Sequence, residues 1–255
     1  MPEPIQDLCG GRAPIEAVRD ITVRFQAGQT AALVGPSGCR KSTVLRLIAG
    51  LEEPSAGSVT IGSETPSQIR ARAGLSIAFQ DASLLTWRTV FGNVALGQKL
   101  ARQPVDADAV HRLIRLVGLQ GFDTAQPAGL SGGMRQRAAI ARCLVSAPEL
   151  LLLDEPFGAV DELTRQRLKE DLPALGTAQG ATALLVTHSI SEAVLLSDRI
   201  LVFSPRPAQI VADIPIRLDG PRACDLTQPP EFRAAVDGVA AALRAGEHDT
   251  LIAAQ

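Results

Sequence analysis

Lys41 and Ser42 close the run Gly35-Pro36-Ser37-Gly38-Cys39-Arg40-Lys41-Ser42, and Thr43 adds a second hydroxyl directly after it. A short loop opening a helix, with a lysine and a hydroxyl at its end, has the chemistry of phosphate binding. Backbone N–H groups converge on the anion, the lysine reaches the outer phosphates, and the hydroxyl can ligate magnesium. The strict form of this pattern has glycine immediately before the lysine, and here that position is Arg40. Glycine serves there because it has no Cβ and tolerates positive φ. An arginine must therefore either point into the anion pocket or force the backbone off its path, which predicts weaker phosphate binding. Cys39, beside two cations at a helix N-terminus, is expected to be a reactive thiol.

Further along, polar residues stand at the ends of apolar runs. Leu75 to Phe79 delivers Gln80, Leu150 to Leu153 runs into Asp154-Glu155-Pro156, and Ala183 to Thr187 ends at His188. Leu130-Ser131-Gly132-Gly133 opens the helical stretch Ala138 to Leu144. Each has a bland explanation on its own: a solvated strand end, a packed histidine, a helix cap. Their order and spacing carry the argument.

The elements that hold these residues follow from periodicity. Ala31 to Val34 leads into the loop as a strand; Val44, Leu45, Leu47 and Ile48 lead out as a helix stopped by Gly50. Ile21, Val23 and Phe25 alternate as a strand would, and Ser58 to Ile61 reads as another short one. Asp106 is placed to cap a helix whose apolar face is Val110, Leu113, Ile114 and Val117, ending at Gly118. The unbroken apolar run before Asp154 suits a parallel strand covered on both faces. A helix is expected from Leu163, broken near Pro173, and strands at Ile200 to Phe203 and at the alternating Ile210, Ala212, Ile214 and Ile216. Pro229-Pro230 opens a final helix bearing Phe232, Val236, Val239 and Leu243 on one face.

Composition narrows the function classes. A net charge of -2 over 255 residues gives no global basic field for nucleic acid. The four cysteines, Cys9, Cys39, Cys143 and Cys224, form no metal-type pair and read as reduced thiols. No apolar stretch approaches the roughly 20 residues needed to span a bilayer, and Met1-Pro2-Glu3-Pro4 does not begin a signal peptide.

The whole succession, from the phosphate loop through Gln80, the helical insert, Leu130 to Arg137, Leu150 to Pro156 and Val186-Thr187-His188, resembles the ATP-binding subunit of ABC transporters. Gly158-Ala159-Val160-Asp161 is similar to that family's D-loop, and the stretch from Phe79 to Arg88 looks most like the nitrate, sulfonate and taurine importer branch. The resemblance implies an α/β fold: a P-loop NTPase core with a mainly parallel sheet, an antiparallel β subdomain and a helical signature subdomain. The core would span 1–83 and 147–205, the helical subdomain 84–146, and a tail 206–255.

It also implies roles. Lys41 would neutralise β- and γ-phosphate charge of ATP within the loop 35–43, and Ser42, Gln80 and Asp154 would hold Mg2+ directly or through water. Glu155 would polarise the attacking water and His188 would align it. Ser131, Gly132 and Gly133 would meet ATP bound to the other subunit of a homodimer or heterodimer. Transmembrane permease subunits and, through them, a solute-binding protein are the implied partners, with no nucleic acid, on the cytoplasmic face of the membrane. The family's adenine-stacking aromatic has no counterpart between Leu8 and Arg12, where only Cys9 stands. A non-hydrolysing structural or regulatory subunit is the alternative that Arg40 raises. A DNA-repair or chromosome-maintenance ATPase fits poorly, since Gln80 to Ser131 is too short for a coiled-coil insertion. Trp87, the single tryptophan, either packs inside the insert or faces a partner.

Overall fold

The computed structural model describes residues 16–158, 180–218 and 230–253. The segment around Cys9, residues 159–161 of the similar D-loop, the helix expected from Leu163 and Cys224 lie outside them. The strands are β1 (Thr30–Val34), β2 (Leu75–Ala78), β3 (Leu150–Asp154), β4 (Thr182–Val186), β5 (Arg199–Phe203) and β6 (Ile210–Pro215). They form one sheet in the order β2-β3-β4-β1-β5-β6, parallel except for the antiparallel edge pair β5–β6.

Alternate residues of each strand go to opposite faces, and the core divides accordingly. Ala31, Leu33, Leu150, Leu152, Leu184 and Val186 meet α1 (Lys41–Ile48) on one side. Ala32, Val34, Leu151, Leu153 and Leu185 meet the other helices on the opposite side. All four leucines of β3 are buried, each contributing roughly 1.5–3 kcal/mol. The strand end that carries Asp154 and Glu155 is thereby well anchored.

Between β2 and β3 come α3 (Val90–Leu100), α4 (Ala107–Leu116), a turn of 3-10 helix and α5 (Gly132–Leu144). Asp106 caps α4 as expected, accepting from Ala109 N at 2.9 Å, and Gly118 takes φ 65 after its end. Beyond β4, α6 (Ile190–Leu196) and α7 (Pro230–Ala253) complete that layer, with Phe232 and Val239 buried.

Two expected strands do not form among the described residues. Residues 21–25 do alternate, with Ile21, Val23 and Phe25 packed on the core and Thr22 and Arg24 exposed, yet they join no ladder with the described residues. Among these, Val18 bridges to Ala208, and Ile61 to Glu64 in the second stretch. Side-chain alternation puts a segment half in the core, but a strand also needs a neighbour for its backbone groups. An unexpected helix, α2 (Pro66–Ala71), starts with a capping box between Thr65 and Gln68, with proline at its first position. Among the described residues no helix is long and apolar enough to cross a membrane.

Candidate functional site

Because β2, β3, β4 and β1 are adjacent and parallel, their C-terminal ends share one edge of the sheet, the usual place for ligands in such sheets. Gln80, Asp154 with Glu155, His188 and the loop 35–40 all leave from that edge. Lys41 is the first residue of α1 and only 7% exposed. Its ammonium donates to Gly35 O at 2.7 Å and Pro36 O at 3.0 Å, and lies 3.6 Å from Cys39 Sγ. The two carbonyls are neutral acceptors, and among the described residues no carboxylate lies within ion-pair distance of this buried cation.

Arg40 takes φ 77 and ψ 31, the left-handed conformation a glycine would adopt there, and its side chain is exposed. Its carbonyl accepts from Thr43 N at 3.0 Å and Val44 N at 3.3 Å, so the first turn of α1 forms normally. The arginine is accommodated with the first helical turn intact. Left-handed geometry costs a residue with a Cβ about 1–2 kcal/mol. Arg40→Gly should therefore raise the unfolding free energy by about that much in denaturant titrations; an unchanged or lower value would show that the conformation is unstrained. Gly38 is also left-handed, at φ +79, and a Cβ there would meet nothing within 4 Å. The loop mouth is open.

Cys39 corrects an expectation. It is 1% exposed and packs with the apolar cluster around Phe203, so the reactive-thiol reading does not hold for this fold. A loop residue next to two cations can still turn its side chain inward, and spacing alone does not reveal which way.

Ser42 Oγ donates to Asp154 Oδ1 at 3.0 Å, joining the loop to the end of β3. Burial raises the Asp154 carboxyl above its ordinary range; the Ser42 hydrogen bond and the charges of Arg46 and Lys41 oppose this, while Glu155 adds to it. Glu155 follows at φ 48, its N–H donating to Val186 O at 2.9 Å. That bond ties it to the end of β4. Gln80 Nε2 donates to Glu155 Oε2 at 3.3 Å, and His188 Nδ1 lies 3.5 Å from the same oxygen. Three strand ends thus converge on one carboxylate oxygen. Thr187 Oγ1, just before His188, donates to the buried Glu192 at 2.8 Å and accepts from Ser189 N, fixing the turn into α6.

Ser131 caps α5, accepting from Met134 N at 3.2 Å. Among the described residues no hydrogen bond or ion pair joins Ser131, Gly132 or Gly133 to the loop. Arg206 was not singled out by spacing; its Nη2 donates to Gly38 O at 3.3 Å. It arrives there only because β5 neighbours β1, which sheet order decides. Two clefts, of about 440 Å³ beside Asp20 and Gln209 and about 290 Å³ beside Gln68 and Arg102, share no lining residue with this site.

A lysine on two loop carbonyls at the start of a helix, a hydroxyl on a strand-end carboxylate and a second carboxylate beside it have chemistry suited to a phosphorylated ligand and a hard cation. A protein-family model described as ABC transporter matches residues 18–158, more than half of the chain. The chain belongs to the ABC transporter family. It is 44% identical over 205 residues to an aliphatic sulfonates import ATP-binding protein of Pseudomonas syringae pv. tomato, covering 80% of this chain and 83% of the relative. To a taurine import ATP-binding protein of Yersinia pestis bv. Antiqua it is 44% identical over 197 residues, 76% of each. Among solved structures, a dimeric ATP-binding cassette in a post-hydrolysis state bound to ADP and Pi superposes with a TM-score of 0.75 at 28% identity, covering 82% of this chain and 95% of that one. This ABC ATPase therefore has the fold expected of it: a mostly parallel sheet with an antiparallel pair, and the phosphate loop at the end of β1.

Proposed function

We propose that this ABC ATPase energises an importer for a small anionic solute of the nitrate, sulfonate or taurine class, docking on transmembrane permease subunits at the cytoplasmic face of the membrane. The solute class is supported by relatives named for sulfonate and taurine import. The single observation that carries the hydrolytic reading is the meeting of Gln80, Glu155 and His188 on one oxygen beside the Ser42–Asp154 pair.

The residues present fit ATP and magnesium. Lys41 donates to the neutral carbonyls of Gly35 and Pro36 and can exchange them for β- and γ-phosphate oxygens. The Ser42 hydroxyl, the Asp154 carboxylate and the Gln80 amide oxygen are hard oxygen donors suited to magnesium. Magnesium, when bound, supplies positive charge against the phosphoryl oxygens. Glu155 then accepts a hydrogen bond from the attacking water and polarises it, while His188 aligns that water against the terminal phosphate. Ser131, Gly132 and Gly133, with the positive end of α5, serve the nucleotide on a second subunit. A head-to-tail pair with two shared sites is supported by the dimeric cassette that this fold matches.

Arg40 does not favour the structural or regulatory alternative. Its backbone is left-handed, as a glycine's can be, and its side chain is exposed, so it does not fill the space inside the loop. ATP titration by calorimetry, with and without magnesium, tests this reading: saturable binding that tightens with magnesium supports it, and absence of binding contradicts it.

Trp87 is 72% exposed, so it does not pack the interior of the helical insert. An exposed tryptophan is the kind of group that anchors an interface, and we assign it to the permease contact. Trp87→Ala should weaken co-purification with the permease severalfold while leaving ATP binding by the isolated subunit intact; unchanged co-purification would remove it from that contact.

A further inference from the structure

Three side chains of α5 hold the backbone of the segment that carries Gln80. Gln136 is 2% exposed, and its Nε2 donates to Phe79 O at 3.0 Å. Arg142 donates from Nη1 to Ser83 O at 2.9 Å and from Nη2 to Ala82 O at 3.0 Å. The Cys143 thiol donates to Ile77 O at 3.2 Å. These carbonyls lie on both sides of Gln80, and Phe79 directly precedes it. The parallel ladder from β3 ends at Ala78, so past that point sheet pairing no longer directs the chain.

We infer that Gln136 and Arg142 are positioning residues for Gln80, holding its backbone so that its side chain meets the Glu155 carboxylate. Apolar contact between α5 and β2 is non-directional and keeps the two together without these bonds. Hydrogen bonds fix direction, because they weaken steeply away from linear geometry. Beyond the last ladder bond, Gln136 therefore sets the exit direction of the chain, and Arg142 gathers it again three residues later. Gln80 is left pointing at Glu155, 3.3 Å away. The inference rests on the proposal that Gln80 belongs to the hydrolytic site.

The test uses the full chain with Gln136→Leu, Arg142→Met, Arg142→Lys, Gln80→Ala and the double variant Gln80→Ala/Gln136→Leu. Gln136→Leu should lower kcat by about tenfold with little change in KM for ATP, as expected for a misplaced group rather than a lost binding contact. Amides of residues 77–83 should exchange with deuterium faster at an unchanged melting temperature. Lysine at position 142 should restore part of what methionine loses. In the Gln80→Ala background Gln136→Leu should cause no further loss of turnover, since the two act through one group. An equal loss in both backgrounds, or unchanged exchange at 77–83, overturns the inference. If Gln80→Ala alone hydrolyses ATP normally, the assignment of Gln80 fails, and the exchange measurement still decides whether α5 holds the segment. Should Gln136→Leu not fold, the Arg142 pair carries the same comparison.

Discussion

Glu155→Gln should leave ATP bound and slow its hydrolysis by about 10²–10⁴-fold, the usual contribution of a positioned general base. Glutamine keeps the size of the side chain and one oxygen that can accept from Gln80 Nε2, now 3.3 Å from the carboxylate. The backbone bond from residue 155 to Val186 O does not depend on the side chain. What is lost is the negative charge proposed to polarise water. With hydrolysis blocked, the ATP-bound pair of subunits should accumulate, visible as a shift to dimer in size-exclusion chromatography with magnesium and ATP. Turnover at the wild-type rate would leave Glu155 as an ordinary strand-end carboxylate.

Asp154→Asn should have two opposite effects: turnover falls by about 10²-fold or more, and the ligand-free protein becomes more stable at neutral pH. Burial holds the folded-state carboxyl above its ordinary range. For such a group the stabilising contribution is complete below the unfolded value of about 3.9 and is lost as pH rises through the raised folded value. At neutral pH the fold therefore carries a carboxylate it disfavours, a state that a bound cation would relieve. Asparagine removes the charge and still offers an oxygen to Ser42, which donates to Asp154 Oδ1 at 3.0 Å. Melting curves across the acidic range should show the variant's advantage at pH 7 shrinking as the pH falls. A variant less stable than wild type at neutral pH would contradict the burial argument.

Much of the fold was legible because its signals are local or strongly periodic. The apolar run before Asp154 could only be a strand covered on both sides, and β3 is buried throughout. Asp106 and Gly118 marked both ends of α4 by cap chemistry alone. Residues 21–25 alternate without a ladder among the described residues, because alternation reports which side chains face the core and says nothing about a backbone neighbour. The Thr65–Gln68 capping box was a local signal that went unread.

At the candidate site, residue types singled out the loop, Gln80, Glu155 and His188, and parallel pairing explains why Gln80, Glu155 and His188 lie together. Three features needed three dimensions. Cys39 turns inward, Arg40 adopts the left-handed conformation open to glycine, and Arg206 reaches Gly38 from the end of a neighbouring strand. None of these is encoded by spacing along the chain.

Phosphate release by the purified wild-type chain, titrated with ATP at fixed magnesium, tests the central claim most directly. If the loop works with arginine at position 40, release is saturable, requires magnesium, rises more steeply than linearly with protein concentration because each site is shared between two subunits, and increases little in Arg40→Gly. Saturable ATP binding with no release from the wild-type chain, restored by Arg40→Gly, would contradict it and identify Arg40 as the residue that silences the site.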